Sequence, residues 1–138
     1  MRFMVIVMHQ DTTDYEAGKM PDPKLLETMG KFNEELVNAG VMLSGDGLHP
    51  TSKGARVHFP GKGKPPVVTQ GPFTDSQVAG FWMWQVKSKE EALEWAKRAP
   101  MEDGATLELR QVFELADFAP DIEQRNNQLR DKIKQQNR

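Results

Sequence analysis

Three side chains, His9, Asp46 and Asp75, are of the types that carry out proton transfer. His9 directly follows an apolar run, where a ring at a strand end can face a cavity, and histidine is the natural general base near neutral pH. Asp46 or Asp75 could orient His9 or accept a proton. These residues predict cofactor-free acid–base chemistry on a small organic molecule, in a lyase, isomerase or hydrolase-like step.

Each of these residues also has a structural interpretation. A single histidine is commonly structural or solvated. Gly45 and Gly47 let a ligand approach Asp46 closely, or they merely permit a β-bulge. Asp75 follows a turn, where aspartate commonly caps local backbone amides. These alternatives stay open at the level of sequence.

Four further side chains are candidates for ligand contact: His49, Arg56, Trp82 and Trp84. Arg56, with Lys53 nearby, could bind an acidic substrate, or both could be solvated charges on a hairpin. The two tryptophans could form walls for a planar ligand, or they could lie in the core or at an interface. The histidines lack metal-ligand spacing and the chain has no phosphate loop or dinucleotide fingerprint, so we predict no metal and no cofactor.

The composition is that of one ordinary globular domain. The chain has 138 residues, 38% of them hydrophobic and 28% charged, with a formal net charge of −2. This charge gives no general attraction to phosphate backbones, so we expect no nucleic-acid partner. The absence of cysteine excludes disulfides, thiolate zinc sites and a cysteine nucleophile. The apolar run at residues 3–8 is too short to span a bilayer and lacks signal-peptide features, so we expect a cytoplasmic protein without a membrane partner.

Hydrophobic periodicity and helix caps divide the chain into strands and helices. Asp22 and Pro23 begin a helix that Gly40 ends, and Ser88 begins a second helix that stops before Pro100. Residues 9–21 read as an exposed loop. The predicted strands are residues 2–8, 41–48, 79–86 and 106–112, with an inserted hairpin at 55–59 and 66–69. Residues 119–138 form a polar C-terminal tail that we expect to be helical.

Without the hairpin, the order is β-α-β-β-α-β, which predicts an α+β, ferredoxin-like fold. This fold places the first and third core strands in the middle, and those are the two strands with apolar residues on both faces. Two helices cover one face only. The other face would expose Trp82 and Trp84, or else the neighbouring residues of opposite parity. We expect a second copy of the chain to cover it, forming a homodimer.

Several local strings resemble the YCII-related proteins of the DGPF type. They are GKFNEEL at 30–36, GDGLHP at 45–50, TSKGAR at 51–56, GPFTD at 71–75, GFW at 80–82 and RQVFE at 110–114. The resemblance implies a YCII-related domain over residues 1–118, a ferredoxin-like fold and a dimeric α+β barrel. It also implies a His–Asp pair in enzymatic members of the broader superfamily, and an association of some DGPF-type proteins with alternative sigma factors.

The chain departs from the family pattern at two positions. Gln70 stands where the family has its eponymous aspartate, and Asp46 stands where glutamate is common. The first departure weakens any mechanism that needs a carboxylate at position 70. Three functions remain open: a small-molecule enzyme, a non-catalytic ligand-binding or regulatory module, and an adaptor that uses the polar tail to capture a protein.

Overall fold

The computed structural model describes residues 1–9, 12–118 and 120–137. Residues 10, 11, 119 and 138, which fall in the predicted loop and tail, lie outside the described residues. Within the described ranges the chain forms six β-strands and four α-helices. They are β1 Arg2–His9, α1 Thr13–Glu16, α2 Pro23–Asn38, β2 Met42–Gly47, β3 Ala55–His58, β4 Val67–Gln70, β5 Val78–Gln85, α3 Lys89–Lys97, β6 Ala105–Gln111 and α4 Pro120–Gln136.

Four strands form one antiparallel sheet in the order β2-β5-β1-β6. The first and third core strands, β1 and β5, occupy the middle, as the ferredoxin-like prediction requires. The fold prediction is therefore confirmed: the chain is a mixed α+β protein with a ferredoxin-like arrangement. Strands β3 and β4 pair with each other in a separate two-stranded sheet, which is the predicted hairpin.

The two long core helices begin at the predicted caps. The Asp22 side chain accepts a hydrogen bond of 2.8 Å from the Lys24 backbone amide at the start of α2. Ser88 accepts one of 3.1 Å from the Glu91 amide at the start of α3. The Glu91 carboxylate accepts from the amide of Lys87, one residue before the cap. Gly40, with a φ of 72°, lets the chain turn away after α2.

Helices α2 and α3 cover one face of the sheet and bury the core against it. Phe32 of α2 lies at the centre, with ring centroids 5.9 Å from Trp82, 6.4 Å from Trp84 and 6.4 Å from Trp95. Such edge-to-face contacts add to the burial of the rings. The fully buried set consists of Phe3, Val5, Phe32, Leu36, Val41, Trp82, Trp84, Val86 and Ala92.

The opposite sheet face carries the second set of apolar side chains on the central strands. Met4 pairs with Met83 and Ile6 pairs with Phe81, and all four are only partly buried. They alternate along β1 and β5 with the fully buried residues, so they point to the other side. We call these four residues the open face. Of the two sequence alternatives, the open face thus carries the neighbours of the tryptophans and not the tryptophans themselves.

Two segments flank the sheet. The segment at 9–21, predicted to be a loop, contains the four-residue helix α1, so that prediction was wrong for Thr13–Glu16. The polar tail forms α4 beside a 3-10 turn at Leu115–Asp117, and its Ile122, Leu129 and Ile133 remain exposed. Among the described residues, every helix is too short or too polar to cross a bilayer.

Candidate functional site

The strand directions bring the candidate residues to one end of the sheet. Because neighbouring strands are antiparallel, β1 and β2 end where β5 and β6 begin. His9 pairs with Ala105 at the start of β6, while Gly47 pairs with Gly80 near the start of β5. The loop that follows β2 and the segment that precedes β5 therefore lie at the same end as His9. Among the clefts that the described residues form, two at this end contain residues predicted from the sequence.

The first cleft, which we call the His9 cleft, has a volume of about 480 Å³. Its lining consists of Met8, His9, Gln77, Gly104, Thr106 and Glu108. The backbone amide of His9 donates a 2.9 Å hydrogen bond to the Gln77 carbonyl, which fixes the end of β1 against the entry to β5. The structure therefore places His9 at a strand end that faces a cleft.

Glu108 is the carboxylate that shares this cleft with His9. It pairs opposite Ile6 in the sheet, and its Oε2 atom lies 3.7 Å from the Arg110 guanidinium. Glu108 is not among the residues predicted from the sequence, because an alternating edge strand normally presents such a residue to solvent. What locates Glu108 is the register of β6 against β1, in which Ala105 lies opposite His9 and Glu108 follows three residues later. Sequence periodicity does not give this register.

The two predicted acidic partners lie elsewhere. Asp46 is exposed on edge strand β2, opposite Phe81. The Asp75 carboxylate accepts from Arg56 at 2.9 Å, and this hydrogen bond holds the pKa of Asp75 below its ordinary value. Across the ranges that the structure describes, the His9 side chain makes no hydrogen bond or ion pair with either aspartate.

The second cleft at this end of the sheet, which we call the Arg56 cleft, has a volume of about 350 Å³. It lies between the loop that follows β2 and the loop that precedes β5. Its lining includes Leu48, His49, Lys53, Arg56, Phe73 and Val78. The structure thus brings together His49 and Arg56, two of the four predicted ligand contacts.

Arg56 is held by two contacts. Its guanidinium carbon lies 4.0 Å from the centroid of the Phe73 ring, in cation–π geometry. Its NH1 atom lies 2.9 Å from Asp75 Oδ1. An arginine has five N–H donors in a planar fork, so one bond to Asp75 leaves donors for another group.

Hydrogen bonds of Thr51 connect the segments that form the Arg56 cleft. Its hydroxyl donates a 2.6 Å hydrogen bond to Glu16 Oε2 and accepts one of 2.8 Å from the Phe73 amide. The backbone amide of Thr51 also donates to the Glu16 carboxylate, at 3.2 Å. These contacts join α1, the loop after β2 and the loop before β5. Glu16 and Thr51 are far apart in the chain and form no local pattern, so their contact was not predictable from the sequence.

Tyr15 also connects α1 to the loop after β2 by hydrogen bonds. Its hydroxyl donates to the carbonyl of Leu48 and, at 2.9 Å, to that of His49. Burial raises the pKa of Tyr15, and the neighbouring Glu16 charge raises it further. The phenol therefore stays protonated and remains a donor over the whole neutral range.

Trp82 and Trp84 lie in the core under the helices. The Trp82 indole N–H donates a 2.9 Å hydrogen bond to Asn33 Oδ1, and Trp84 is fully buried. Neither tryptophan belongs to the lining that the described residues form around the two clefts. The part of the chain that the structure describes also brings no three His, Asp or Glu side chains together around a possible metal ion.

Comparison with known proteins identifies the family. A search of curated proteins finds no match to this chain. The family model of the YCII-related domain matches residues 1–116, from the start of β1 to the 3-10 turn that precedes α4. This span includes both clefts and the whole four-stranded sheet. The chain therefore belongs to the YCII-related domain family.

Proposed function

We propose that the protein is a homodimeric, cofactor-free enzyme in which His9 transfers a proton to or from a small organic molecule. The observation that carries this proposal is that His9 and Glu108 line one cleft of about 480 Å³ at the end of β1, and that Glu108 lies opposite Ile6 of the open face. A histidine at a cleft mouth with a carboxylate in the same lining is suited to general acid–base catalysis.

The dimer is part of the proposal because a second copy would enclose the cleft. The open face, Met4, Ile6, Phe81 and Met83, lies on the central strands and is partly exposed in one chain. Apolar side chains on the middle of a sheet favour burial against another surface, and symmetric homodimers are the commonest soluble assembly. Packing of the two open faces would form a dimeric α+β barrel and exclude water from the cavity.

The carboxylates have different roles in this proposal. Glu108 is the preferred partner of His9, because it lines the same cleft. Asp46 lies opposite Phe81 of the open face, so dimer formation would bring it to the edge of the cavity. Asp75 is the weakest of the three candidates, because its carboxylate already binds Arg56. In the reaction, neutral His9 would remove a proton from a carbon next to a carbonyl group, and the same ring would return it.

The test is proton exchange in deuterated water. The wild-type protein is incubated with a panel of 2-keto acids, 3-keto acids and unsaturated lactones, and deuterium incorporation is followed by NMR and mass spectrometry. We expect faster exchange or turnover of at least one compound, with a loss of roughly a hundredfold or more in His9→Gln. His58→Gln is the matched control, because His58 lies on β3 outside the His9 cleft, and it should retain the activity.

One observation favours the alternative, a non-catalytic ligand-binding or regulatory module. Among the described residues, no carboxylate is hydrogen-bonded to the His9 side chain, so nothing there fixes its tautomer. If panel compounds raise the melting temperature of the wild-type protein but none exchanges or reacts, the binding module is the better conclusion. If the compounds neither bind nor react, both functions are rejected for these compound classes.

A further inference from the structure

The Arg56 cleft is separate from the His9 cleft. Ser76 and Val78 line the Arg56 cleft, whereas Gln77 lines the His9 cleft, so residues 76–78 form a wall between them. The backbone bond from His9 to Gln77 fixes this wall to the end of β1. A ligand in the Arg56 cleft would therefore occupy its own site, whatever chemistry His9 performs.

The walls of this cleft are rigidly built. Thr51 binds both Glu16 and the Phe73 amide, as described above. Gly71 packs so closely against this loop that an added Cβ would lie 1.7 Å from the Thr51 carbonyl oxygen. The Gly71 amide donates to the Gly54 carbonyl at 2.9 Å. Both loops are thus held in place without a ligand, which lowers the entropic cost of binding.

The charge of the described lining is one-sided. It includes the cations Lys53 and Arg56 and contains no carboxylate. Asp75, which binds Arg56 at 2.9 Å, and Glu16, which binds Thr51, lie outside the lining and offset part of this positive charge. The Arg56 donors that Asp75 does not use remain available to an anion. The cleft therefore favours an anion, and the planar guanidinium of Arg56 matches the two oxygens of a carboxylate.

The remaining surface of the cleft is apolar. Leu48 and Val78 are both exposed, and the Phe73 ring lies beneath the guanidinium. A ligand with a flat or aliphatic body would cover these side chains while its charged end meets Arg56. Such a combination of an apolar wall and a few directed polar groups is typical of small-molecule sites.

We propose that the Arg56 cleft is a binding site for a small organic carboxylate with an apolar body, with Arg56 and Lys53 binding the carboxylate and Leu48, Phe73 and Val78 contacting the body. Asp75 positions the guanidinium by holding one edge of it. The site does not depend on catalysis at His9, so failure of either proposal leaves the other intact.

The experiment is a titration of the full chain with 3-phenylpropanoate, followed by the backbone amide shifts of Gly54, Ala55 and Phe73. We expect saturable shifts at these amides. The uncharged 3-phenylpropanamide should bind at least about tenfold more weakly, since it loses the charge-assisted hydrogen bonds. Acetate and inorganic phosphate should also be at least about tenfold weaker, because they cover no apolar surface. Equal binding of the amide, of acetate or of phosphate would overturn the proposal.

Variants locate the site. Arg56→Gln should weaken binding at least about tenfold, and Lys53→Gln several-fold. Lys62→Gln, in the exposed turn of the hairpin, is the matched control and should bind as the wild type does. Circular dichroism checks that each variant is folded. If Arg56→Gln does not fold, Arg56→Lys replaces it, and several-fold weaker binding is expected because the planar fork is lost. Wild-type affinity in both Lys53→Gln and the folded Arg56 variant would reject the site.

Discussion

The Thr51 hydroxyl donates a 2.6 Å hydrogen bond to Glu16 of α1, across 35 positions of the chain. The same oxygen accepts from the Phe73 amide at 2.8 Å. The Thr51 side chain thereby joins three segments that belong to different parts of the fold: helix α1, the loop after β2 and the loop before β5. This junction holds together loop segments that line the Arg56 cleft.

Replacing Thr51 with valine should loosen the junction. The substitution keeps the shape of the side chain but leaves the Phe73 amide and the Glu16 carboxylate without this partner. We expect a loss of about 1–3 kcal/mol in the free energy of unfolding. Hydrogen exchange should also become faster in residues 51–54 and 71–76. Thr28→Val is the control, because the Thr28 hydroxyl donates to the Lys24 carbonyl within one exposed helix turn and joins no distant segments among the described residues. An equal effect of both substitutions would contradict this role of Thr51.

We predict that any side chain at position 71 destabilises the fold. An added Cβ would lie 1.7 Å from the Thr51 carbonyl oxygen, so the backbone must move. We expect Gly71→Ala to cost about 1–3 kcal/mol or more in urea-induced unfolding, as overpacking does. Gly30→Ala in α2 meets no atom within 4 Å and should be neutral or stabilising by up to about 1 kcal/mol. Comparable destabilisation by both alanines would disprove the close approach.

The ion pair between Arg2 and Glu114 should make stability depend on pH. Two contacts of 2.9 and 3.2 Å join the groups, and the hydrogen bond from Arg2 lowers the pKa of Glu114. A lowered pKa in the folded state means that the stabilisation is present above the ordinary glutamate value of about 4.3 and is lost as pH falls through the folded-state value.

The measurement is urea unfolding of Glu114→Gln and wild type from neutral to acidic pH. At neutral pH the variant should be less stable by about 1 kcal/mol or less, since the pair is partly exposed and screened. The difference should shrink as the wild-type carboxyl becomes protonated. Glu94→Gln, in the exposed pair with Lys97, should change stability less at every pH. A difference that grows with acidification would have the wrong sign for this mechanism.

The proposed dimer predicts that a charge on the open face separates the copies. Met83→Lys would place an ammonium group opposite Met4 in the middle of that face. We expect a monomer by light scattering at concentrations where the wild type is a dimer, with unchanged far-ultraviolet circular dichroism. Val37→Lys is the control, since Val37 is exposed on α2, on the other side of the sheet. A monomeric wild type would reject the dimer.

Helices α2 and α3 and the strand order were predictable because the signals for them are visible in the local sequence. Asp22 and Ser88 cap helices through residues two or three positions away, and these spacings are visible in the sequence. The apolar character of both faces of β1 and β5 was enough to place these strands centrally. The match of family strings pointed to the same fold.

The clefts were only partly predictable because their determinants are distant in sequence. Helix α1 is too short to be stable alone, and the contacts of Tyr15 and Glu16 with residues 48–51 hold it in place. Both parities of β5 are apolar, so the sequence pattern did not show which residues face the helices. In the structure Trp82 and Trp84 do so and pack against Phe32. Glu108 shares a cleft with His9 through pairing of β6 with β1, which periodicity alone does not show.

All three tryptophans of the chain surround Phe32 at the junction of sheet and helices. Their intrinsic fluorescence will therefore report the polarity of this junction. Separation of α2 or α3 from the sheet should shift the emission to the red. A ligand in either cleft should leave it unchanged, because the described linings contain no indole ring. Tryptophan emission is thus a selective reporter of tertiary unfolding in this protein, and ligand titrations require a different optical label.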